Sequence, residues 1–425
     1  MDNLQIILEE LEKCNFKVST DTRAIVSGSI YFALKGDSFD GNEFIYDALK
    51  AGSIAVITDD RKNLENKSVE NIYFVENVLK TLQSVAKKYR EKFNIPIIVI
   101  GGSNGKTTSK ELLSKVLKTK YKVHATKGSL NNHFGLPLSI LSMERDTEIA
   151  IFEIGANHPM EHTDLLNILC PTHVVVTNNG MDHLEGFGSP EGSRKANKEL
   201  YDWALIHKLE VFVNKKNADL LEDSKENIRI LYPTEILESA DANPLTILWK
   251  KNTYKTHLVG NYNLENIELA LSIGQYFKID IDGSINSICE YIPTSKRSEW
   301  LKKDNINFII DCYNANPTSM HLAIESFLNS KDKLKGVILG DMLELGEYTN
   351  TEHIKIIEYV NSQKFDCVVF IGENFKKAMQ GRVQNYQLFP DSDKAREWFV
   401  NQKFNNFTFL LKGSRGMKIE KILEY

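Results

Sequence analysis

The 425-residue sequence is poor in the features that mark several protein classes. It has five cysteines, Cys14, Cys170, Cys289, Cys312 and Cys367, all far apart. No C-x-x-C pair points to zinc or redox chemistry, and an odd count of scattered thiols argues against a disulfide framework. That pattern fits a reducing cytoplasm. Only ten prolines occur, and no Pro-, Gly- or Ser-rich tract or internal repeat stands out. No apolar run is long enough to span a bilayer. The opening stretch, MDNLQIILEELEKCNF, is acidic and amphipathic with no basic n-region, so neither a signal peptide nor a membrane span is expected. A formal net charge of −5 and pI near 6.1 leave no global basic field for nucleic acid, so any anionic ligand must be held locally.

What is present is ordinary globular material, 42% hydrophobic and 26% charged, in a chain too long for one core. Three stretches are expected to form domains. Residues 1–93 mix short strands (SIYFAL, SIAVITDD) with the helical patterns NEFIYDALKAG and NVLKTLQSVAKKYREKF. Residues 94–293 begin with the strand IPIIVI and carry further apolar runs, EIAIFEIG, THVVVTNN and LEVFVN, separated by helical patterns. Such runs argue for a mainly parallel sheet covered on both faces. Residues 294–425 repeat the style in NFIIDCY, LKGVILGDM, FDCVVFIG and FTFLLKGS, predicting a second, smaller parallel α/β domain.

The most informative stretch is VIGGSNGKTTSKE, residues 99–111. It follows a strand and opens a helix whose Leu112, Leu113, Val116 and Leu117 share a face. A phosphate cradle needs this context. Gly101, Gly102 and Gly105 let successive N–H groups point inward, and the helix start adds partial positive charge. Lys106 is placed to reach β- and γ-phosphates and Thr107 to ligate Mg²⁺. The common loop would have glycine at position 100, which is isoleucine here. The cradle itself, Gly102, Ser103, Asn104, Gly105, Lys106, Thr107 and Thr108, is intact. Glu153 ends an apolar strand, the place for a Mg²⁺ ligand beside such a loop, although a strand-end charge facing solvent fits the same position.

G-[ST]-x-G-K-T-T after a strand resembles the loop of the Mur ligases, the ATP-dependent amide ligases of peptidoglycan synthesis. GSLNNHFGLPLSIL, FEIGAN, TNNGMDHLEGFGS, LVGNYNLENIELALSIG, DCYNANPTSM, LGDMLELGEYTNTEH and LKGSRGM are similar to further family motifs in the same order. TDTRAIVSGSIYFALKGDSFDGNEFI near the start, with the last three, resembles the branch that adds D-alanyl-D-alanine. The resemblance spans about residues 20–420. It implies a small mixed α/β N-terminal domain, a central P-loop ATPase-like domain and a Rossmann-like C-terminal domain. The implied substrates are ATP, a UDP-N-acetylmuramoyl-tripeptide and D-Ala-D-Ala, with two Mg²⁺ ions and a cytoplasmic, monomeric enzyme.

Residue roles follow from the same resemblance. His183 is implied as ligand of a second Mg²⁺, and Asn131 and Asn132 as acyl-phosphate-side amides, although both also suit a turn. Asn266 is implied at adenine, Arg297 at the phosphates, and Asp311 at ribose with Tyr313 and Asn316 nearby. Thr20, Asp21, Thr22 and Arg23 offer donors and acceptors for uracil and pyrophosphate. Lys412 and Arg415 suit the dipeptide carboxylate, and each equally suits a solvated charge. The alternatives are a third-residue-adding or folylpolyglutamate synthase-like ligase, or a P-loop phosphotransferase of a different class.

One departure stands out. Family members usually carry a carbamylated lysine two residues before the Glu-Leu of the helix after HLEGFGS, where it supports the second metal beside His183. Here that position is Asn197, in EGSRKANKELYDW. Lys198 is one residue on and Lys195 two residues back. One residue on a helix is a turn of about 100°, so Lys198 is expected to point elsewhere unless the helix shifts register; of a carbamylated Lys198 and a site without a carbamate, the second is expected.

Overall fold

The computed structural model describes residues 3–36, 39–61, 71–294, 296–380 and 386–424. Two compact units emerge. The first comprises Met1–Val99, Lys122–Gly155 and Glu161–Thr172; the second comprises Ile100–Tyr121, Ala156–Met160 and His173–Tyr425. No helix among the described residues is long and apolar enough to cross a membrane.

In the first unit four short strands, Val18–Ser19, Ile30–Phe32, Ala55–Thr58 and Ile72–Phe74, lie parallel in that order. The Val78–Arg90 helix begins at Asn77, whose side chain accepts from the Lys80 N–H. Val78, Leu82, Val85, Ala86 and Tyr89 recur at helical spacing and form its buried face. Its last turn is anchored by polar bonds. Tyr89 donates to the Met143 carbonyl at 2.7 Å. The buried Arg90 donates to the carbonyls of Phe93, Leu169 and Cys170. The parallel Val123–Ala125 and Ile149–Glu153 strands complete this unit's share of the middle stretch. Every residue of Ile149–Glu153 is buried, which explains its continuous apolar run.

The Ile97–Gly101 strand runs from the first unit into the second. There its end leads to the parallel strands His173–Val176, Glu210–Asn214 and Ile228–Tyr232. A three-stranded antiparallel sheet follows, Glu238–Ala242, Leu245–Trp249 and Asn252–Lys255. It is an insertion that the expectation of a mainly parallel middle stretch did not include. The last part is a six-stranded sheet. Ile306–Asp311, Phe407–Lys412, Leu334–Gly340, Cys367–Ile371 and Gln387–Phe389 run parallel, and Glu299–Lys303 is antiparallel on the edge.

Side-chain alternation on those strands builds two cores, one on each face. Ile309, Val337, Leu339, Phe370 and Leu410 pack with Met320, Ile324 and Phe327 of the Pro317–Leu328 helix and with Ile357 and Val360 of Thr349–Ser362. Phe308, Ile310, Ile338, Val369, Phe409 and Leu411 pack with Ala395, Phe399 and the C-terminal Ile419 and Ile422. Both faces are covered, so the strands are apolar throughout and polar residues gather at their carboxyl ends. The Ile306–Asp311 and Phe407–Lys412 strands finish side by side on Asp311 and Lys412.

Arg90 supplies donors to three carbonyls, two of them through fully buried bonds, so Arg90→Ala should destabilise the protein by about 3 kcal/mol. Arg90→Lys should recover little, because an ammonium lacks the planar fork. Urea denaturation read by circular dichroism checks this, and an unshifted first transition in Arg90→Ala would show that the three bonds contribute nothing net.

Candidate active site

The phosphate-loop segment turns sharply between the Ile97–Gly101 strand and the Lys106–Leu117 helix. Gly102 has φ 111° and Gly105, at the helix N-cap, φ 81°, the left-handed region that side chains disfavour. Space is short as well: a Cβ on Gly105 would lie 2.5 Å from Asn266 Oδ1. Beyond the turn, the first N–H groups of the helix have no intrahelical acceptor, and the helix dipole adds positive charge there. Thr107 and Thr108 are buried in this first turn. Lys106 arches back so that its ammonium donates to the carbonyls of Gly102 at 2.5 Å and Ser103 at 3.1 Å.

The loop is held by the segment after the His173–Val176 strand. The Ser103 N–H donates to the Asn178 carbonyl and the Asn104 N–H to Asn178 Oδ1, both at 3.0 Å. Thr177 Oγ1 and Asn178 Nδ2 donate to the Asn104 carbonyl at 2.7 and 3.1 Å. Asp182 is only 6% exposed, and its Oδ1 accepts from Ser103 Oγ at 2.6 Å and Ser193 Oγ at 2.7 Å. Asn197 Nδ2 donates to Ser103 Oγ at 3.1 Å and Asn179 Oδ1 at 3.2 Å. Asn179 reaches Asp223 in turn, and Asp223 is bound by Arg194. The motif TNNGMDHLEGFGS points to His183 but gives no role to Thr177, Asn178, Asn179, Asp182 or Ser193. The available signal was a polar tripeptide and an aspartate directly after an apolar strand.

His183 sits at φ 48°, and its Nδ1 meets Glu344 Oε2 at 2.5 Å. The imidazole beside it holds the Glu344 carboxyl below the usual carboxylate range. The Glu185 N–H donates to the Glu344 carbonyl at 3.0 Å, so LGDMLELGE is bonded to the segment that supports the loop.

Asn266 uses both ends of its amide. Oδ1 accepts from Ser109 Oγ at 2.9 Å and Nδ2 donates to Asn263 Oδ1 at 2.8 Å, which braces the loop helix. Lys412, 2% exposed, donates to Asp311 Oδ2 at 2.6 Å, so these two predicted contacts form an ion pair with each other. Tyr313 carries the Arg297 guanidinium 3.7 Å from its ring centroid and that of Arg415 at 5.2 Å, distances of cation–π contact. Asn316 caps the Pro317–Leu328 helix through a capping box with Ser319, and its Nδ2 donates to Asn104 Oδ1 at 2.9 Å.

The remaining predicted residues lie in the first unit. Glu153, 2% exposed at its strand end, accepts from Asn131 Nδ2 at 2.9 Å. Asn132 Oδ1 accepts from the N–H groups of Phe134 and Gly135, a turn-forming role. Asp21 caps the Thr22–Ala24 turn and pairs with Arg23 at 2.6 Å, which holds its carboxyl at about 2. Thr20 lines a cavity of about 500 Å³ with Phe16, Lys17, Tyr89, Met143 and Arg145.

Mg²⁺ takes hard oxygen donors and keeps several waters, binding through one or two carboxylates and substrate phosphates. Thr107 and Glu153 have that donor chemistry. Among the described residues no group of three His, Cys, Asp or Glu forms a closed metal cage, and an open magnesium site does not require one.

Comparison with known proteins gives three family matches: the Mur ligase family catalytic domain over residues 17–99, the Mur ligase middle domain over 100–274, and the Mur ligase glutamate ligase domain over 296–415. The UDP-N-acetylmuramoyl-tripeptide–D-alanyl-D-alanine ligase of Bacillus subtilis is 32% identical, covering 96% of this chain and 92% of the relative. The MurF ligase of Thermotoga maritima, solved in complex with ADP, is 25% identical with a TM-score of 0.82 over 96% of each chain. MurF from Acinetobacter baumannii has a similar fold, with a TM-score of 0.86 at 23% identity over 98% and 97% of the two chains.

Helix phase separates Asn197 from Lys198. Asn197 is buried against Ser103, whereas Lys198 pairs with Asp202 on the outer face. An exposed i,i+4 pair is worth only about 0.3–0.5 kcal/mol, so Lys198→Ala should leave nucleotide turnover within about twofold of the parent, with or without added bicarbonate. Loss of turnover, with extra density on the Lys198 amine, would reverse this assignment.

Proposed function

This chain belongs to the Mur ligase family, and from that premise we infer that it is an ATP-dependent ligase joining D-alanyl-D-alanine to a UDP-N-acetylmuramoyl-tripeptide. The reaction serves cytoplasmic peptidoglycan synthesis. The Bacillus subtilis relative carries this activity in its name and aligns over nearly the whole chain. The observation that supports the reading best is the loop itself. The strand–loop–helix cradle with Lys106 is bonded on one side to Thr177–Asp182 and on the other to Asn316 of the C-terminal α/β part.

The chemistry is the activation of a carboxylate. The tripeptide's terminal carboxylate oxygen attacks the γ-phosphorus of ATP, the bond to the β-bridging oxygen breaks, and ADP leaves. The dipeptide amine then adds to the acyl-phosphate carbonyl. Collapse expels inorganic phosphate, and the amine proton passes to a base. Lys106 exchanges its two loop carbonyls for phosphate oxygens and stabilises the charge on the transferring group. The N–H groups of the first helical turn orient the same oxygens. Thr107 and Glu153 through oxygen, and His183 through the ring nitrogen that does not face Glu344, are the residues we assign to Mg²⁺, which would supply further positive charge at the phosphates when bound. Asn131 holds the Glu153 carboxylate in place for that role.

The C-terminal residues supply the rest of the nucleotide site. Asp311 has one carboxylate oxygen bonded to Lys412, which orients the group to accept from ribose hydroxyls. Arg297 and Arg415, gathered on Tyr313, present cations for phosphate and for the dipeptide carboxylate. Thr20, Asp21, Thr22 and Arg23 are assigned to the UDP moiety, with the Asp21–Arg23 pair fixing the turn that presents them.

Phosphate release by the full chain should require the UDP-tripeptide and D-Ala-D-Ala together. Equal release with either one omitted would favour a phosphotransferase, and acceptance of glutamate on a folate would favour the folylpolyglutamate synthase-like alternative. Lys106→Ala should lower kcat by about 10²–10³-fold with an unchanged melting temperature. Turnover within a few-fold of the parent would remove Lys106 from the phosphate role.

Asp311→Asn keeps the shape of the Lys412 contact. It should raise KM for ATP more than KM for D-Ala-D-Ala, and steady-state kinetics varying each substrate in turn decide this. An effect confined to the dipeptide would sink the ribose assignment.

A further inference from the structure

Three segments remote in sequence meet at Gly180. They are the phosphate loop at Ser103–Asn104, the supporting loop at Gly180–Met181, and the start of the C-terminal helix at Asn316–Thr318. A Cβ built on Gly180 would lie 2.6 Å from Asn104 Nδ2, 3.1 Å from Ser103 Cβ and 3.4 Å from Thr318 Oγ1. Gly180 is not among the glycines with positive φ, so close approach and not backbone conformation calls for glycine here.

The hydrogen bonds at this junction leave no choice of amide orientation. Asn316 Oδ1 accepts from the Ser319 N–H at 2.8 Å, as a helix cap must, so its Nδ2 faces Asn104. Asn104 must answer with Oδ1. A flipped Asn104 would set one N–H₂ group against another. Its own Nδ2 is thereby turned inward, where it is buried without a hydrogen-bond partner. An unsatisfied buried donor is rare and costly, and here it is the consequence of keeping the bond to Asn316. A second stitch lies alongside, from the Met181 N–H to Thr318 Oγ1 at 3.1 Å. The backbone of Asn104 is meanwhile fixed through both N–H and carbonyl by Thr177 and Asn178.

We propose that Asn104 and Asn316 form an amide latch that seats the C-terminal α/β part on the phosphate loop. They act as positioning residues for the nucleotide site, with Gly180 as the clearance that lets the latch close. The proposal rests on the assignment of ATP to the Gly102–Thr107 cradle. The loop that holds the phosphates and the part that carries Asp311 and Arg297 then share this side-chain bond, and its loss weakens nucleotide affinity while the backbone N–H groups of the cradle stay in place.

The test is a double-mutant cycle on the full chain, read by ADP titration calorimetry. Asn316→Ser retains a good helix cap but is too short to bridge to Asn104. Asn104→Ala removes the other half. Each single variant should weaken ADP about 5–10-fold, and the double variant no more than either single, because both break the same bond. Gly180→Ala should weaken ADP at least as much. Melting temperatures of Asn316→Ser and the parent should agree, which separates a latch from general unfolding. Unchanged ADP affinity in Asn316→Ser, or effects of the two singles that multiply in the double variant, would overturn the latch. ADP binding needs no ligation, so a parent protein that binds ADP but does not join the dipeptide defeats the proposed function while the latch is still decided by the cycle.

Discussion

The carboxylate of Asp182 fastens the phosphate loop to its support. One oxygen accepts from Ser103 on the loop and Ser193 on the Pro190–Ile206 helix, and the group is almost wholly out of water. A buried charge is tolerated only when its lone pairs are met, and hydrogen bonds to an ionised acceptor are worth more than neutral ones. The orientation of Ser103 and Asn104 follows from this clamp and from the neighbouring bonds of Thr177 and Asn178. The helix that starts at Lys106 is braced in turn by the bond of Ser109 to Asn266. Preorganised donors of this kind do not have to reorganise when charge develops in a transition state.

The fold was largely legible where the chain is buried on both sides. Continuous apolar runs such as IPIIVI, THVVVTNN and LKGVILGDM are strands because helices cover both faces, and the structure places strands in each of these. The antiparallel insertion was not legible for the opposite reason. Glu238–Ala242 is the polar stretch ESADA and Asn252–Lys255 is NTYK, edge strands with much of their surface in solvent. Ile228–Tyr232 is similar, with Ile228 and Leu231 exposed. Their hydrophobic pattern carries little information, and partner strands dictate their conformation.

The site shows the same division. Gly102 to Thr107 were readable because the cradle is local, made by backbone geometry within six residues. The groups that hold it come from far along the chain. Asn178 and Asp182 lie more than seventy positions from the loop, and Lys412 is 101 residues from Asp311. No spacing rule within one sequence connects such partners. The pairing of Asp311 with Lys412 becomes visible only when their strands are found side by side. Two residues read as separate ligand contacts thus share a bond, and each now orients the other.

His353 shows how far that orientation extends. It is fully buried, and its Nε2 accepts from the Met342 N–H at 3.1 Å while Nδ1 meets the Thr349 carbonyl at 2.6 Å. A carbonyl can only accept, so Nδ1 carries the proton. Nε2, already facing a donor, cannot carry one as well. Burial pushes the imidazole pKa down, in agreement with this neutral tautomer. The ring fixes the start of the Met342–Gly346 loop, and that loop brings Glu344 against His183. Protonating His353 would set N–H against N–H at Met342 and turn Nε2 toward the Asp341 carboxylate, 3.6 Å away. The contact of Glu344 with His183 is therefore supported from behind by a buried imidazole, beside the bonds from Met181 to Thr318 and from Glu185 to Glu344. The placement of Lys106 depends on hydrogen bonds made by Ser103 and Asn104, three and two residues before it, to partners that the loop motif does not contain.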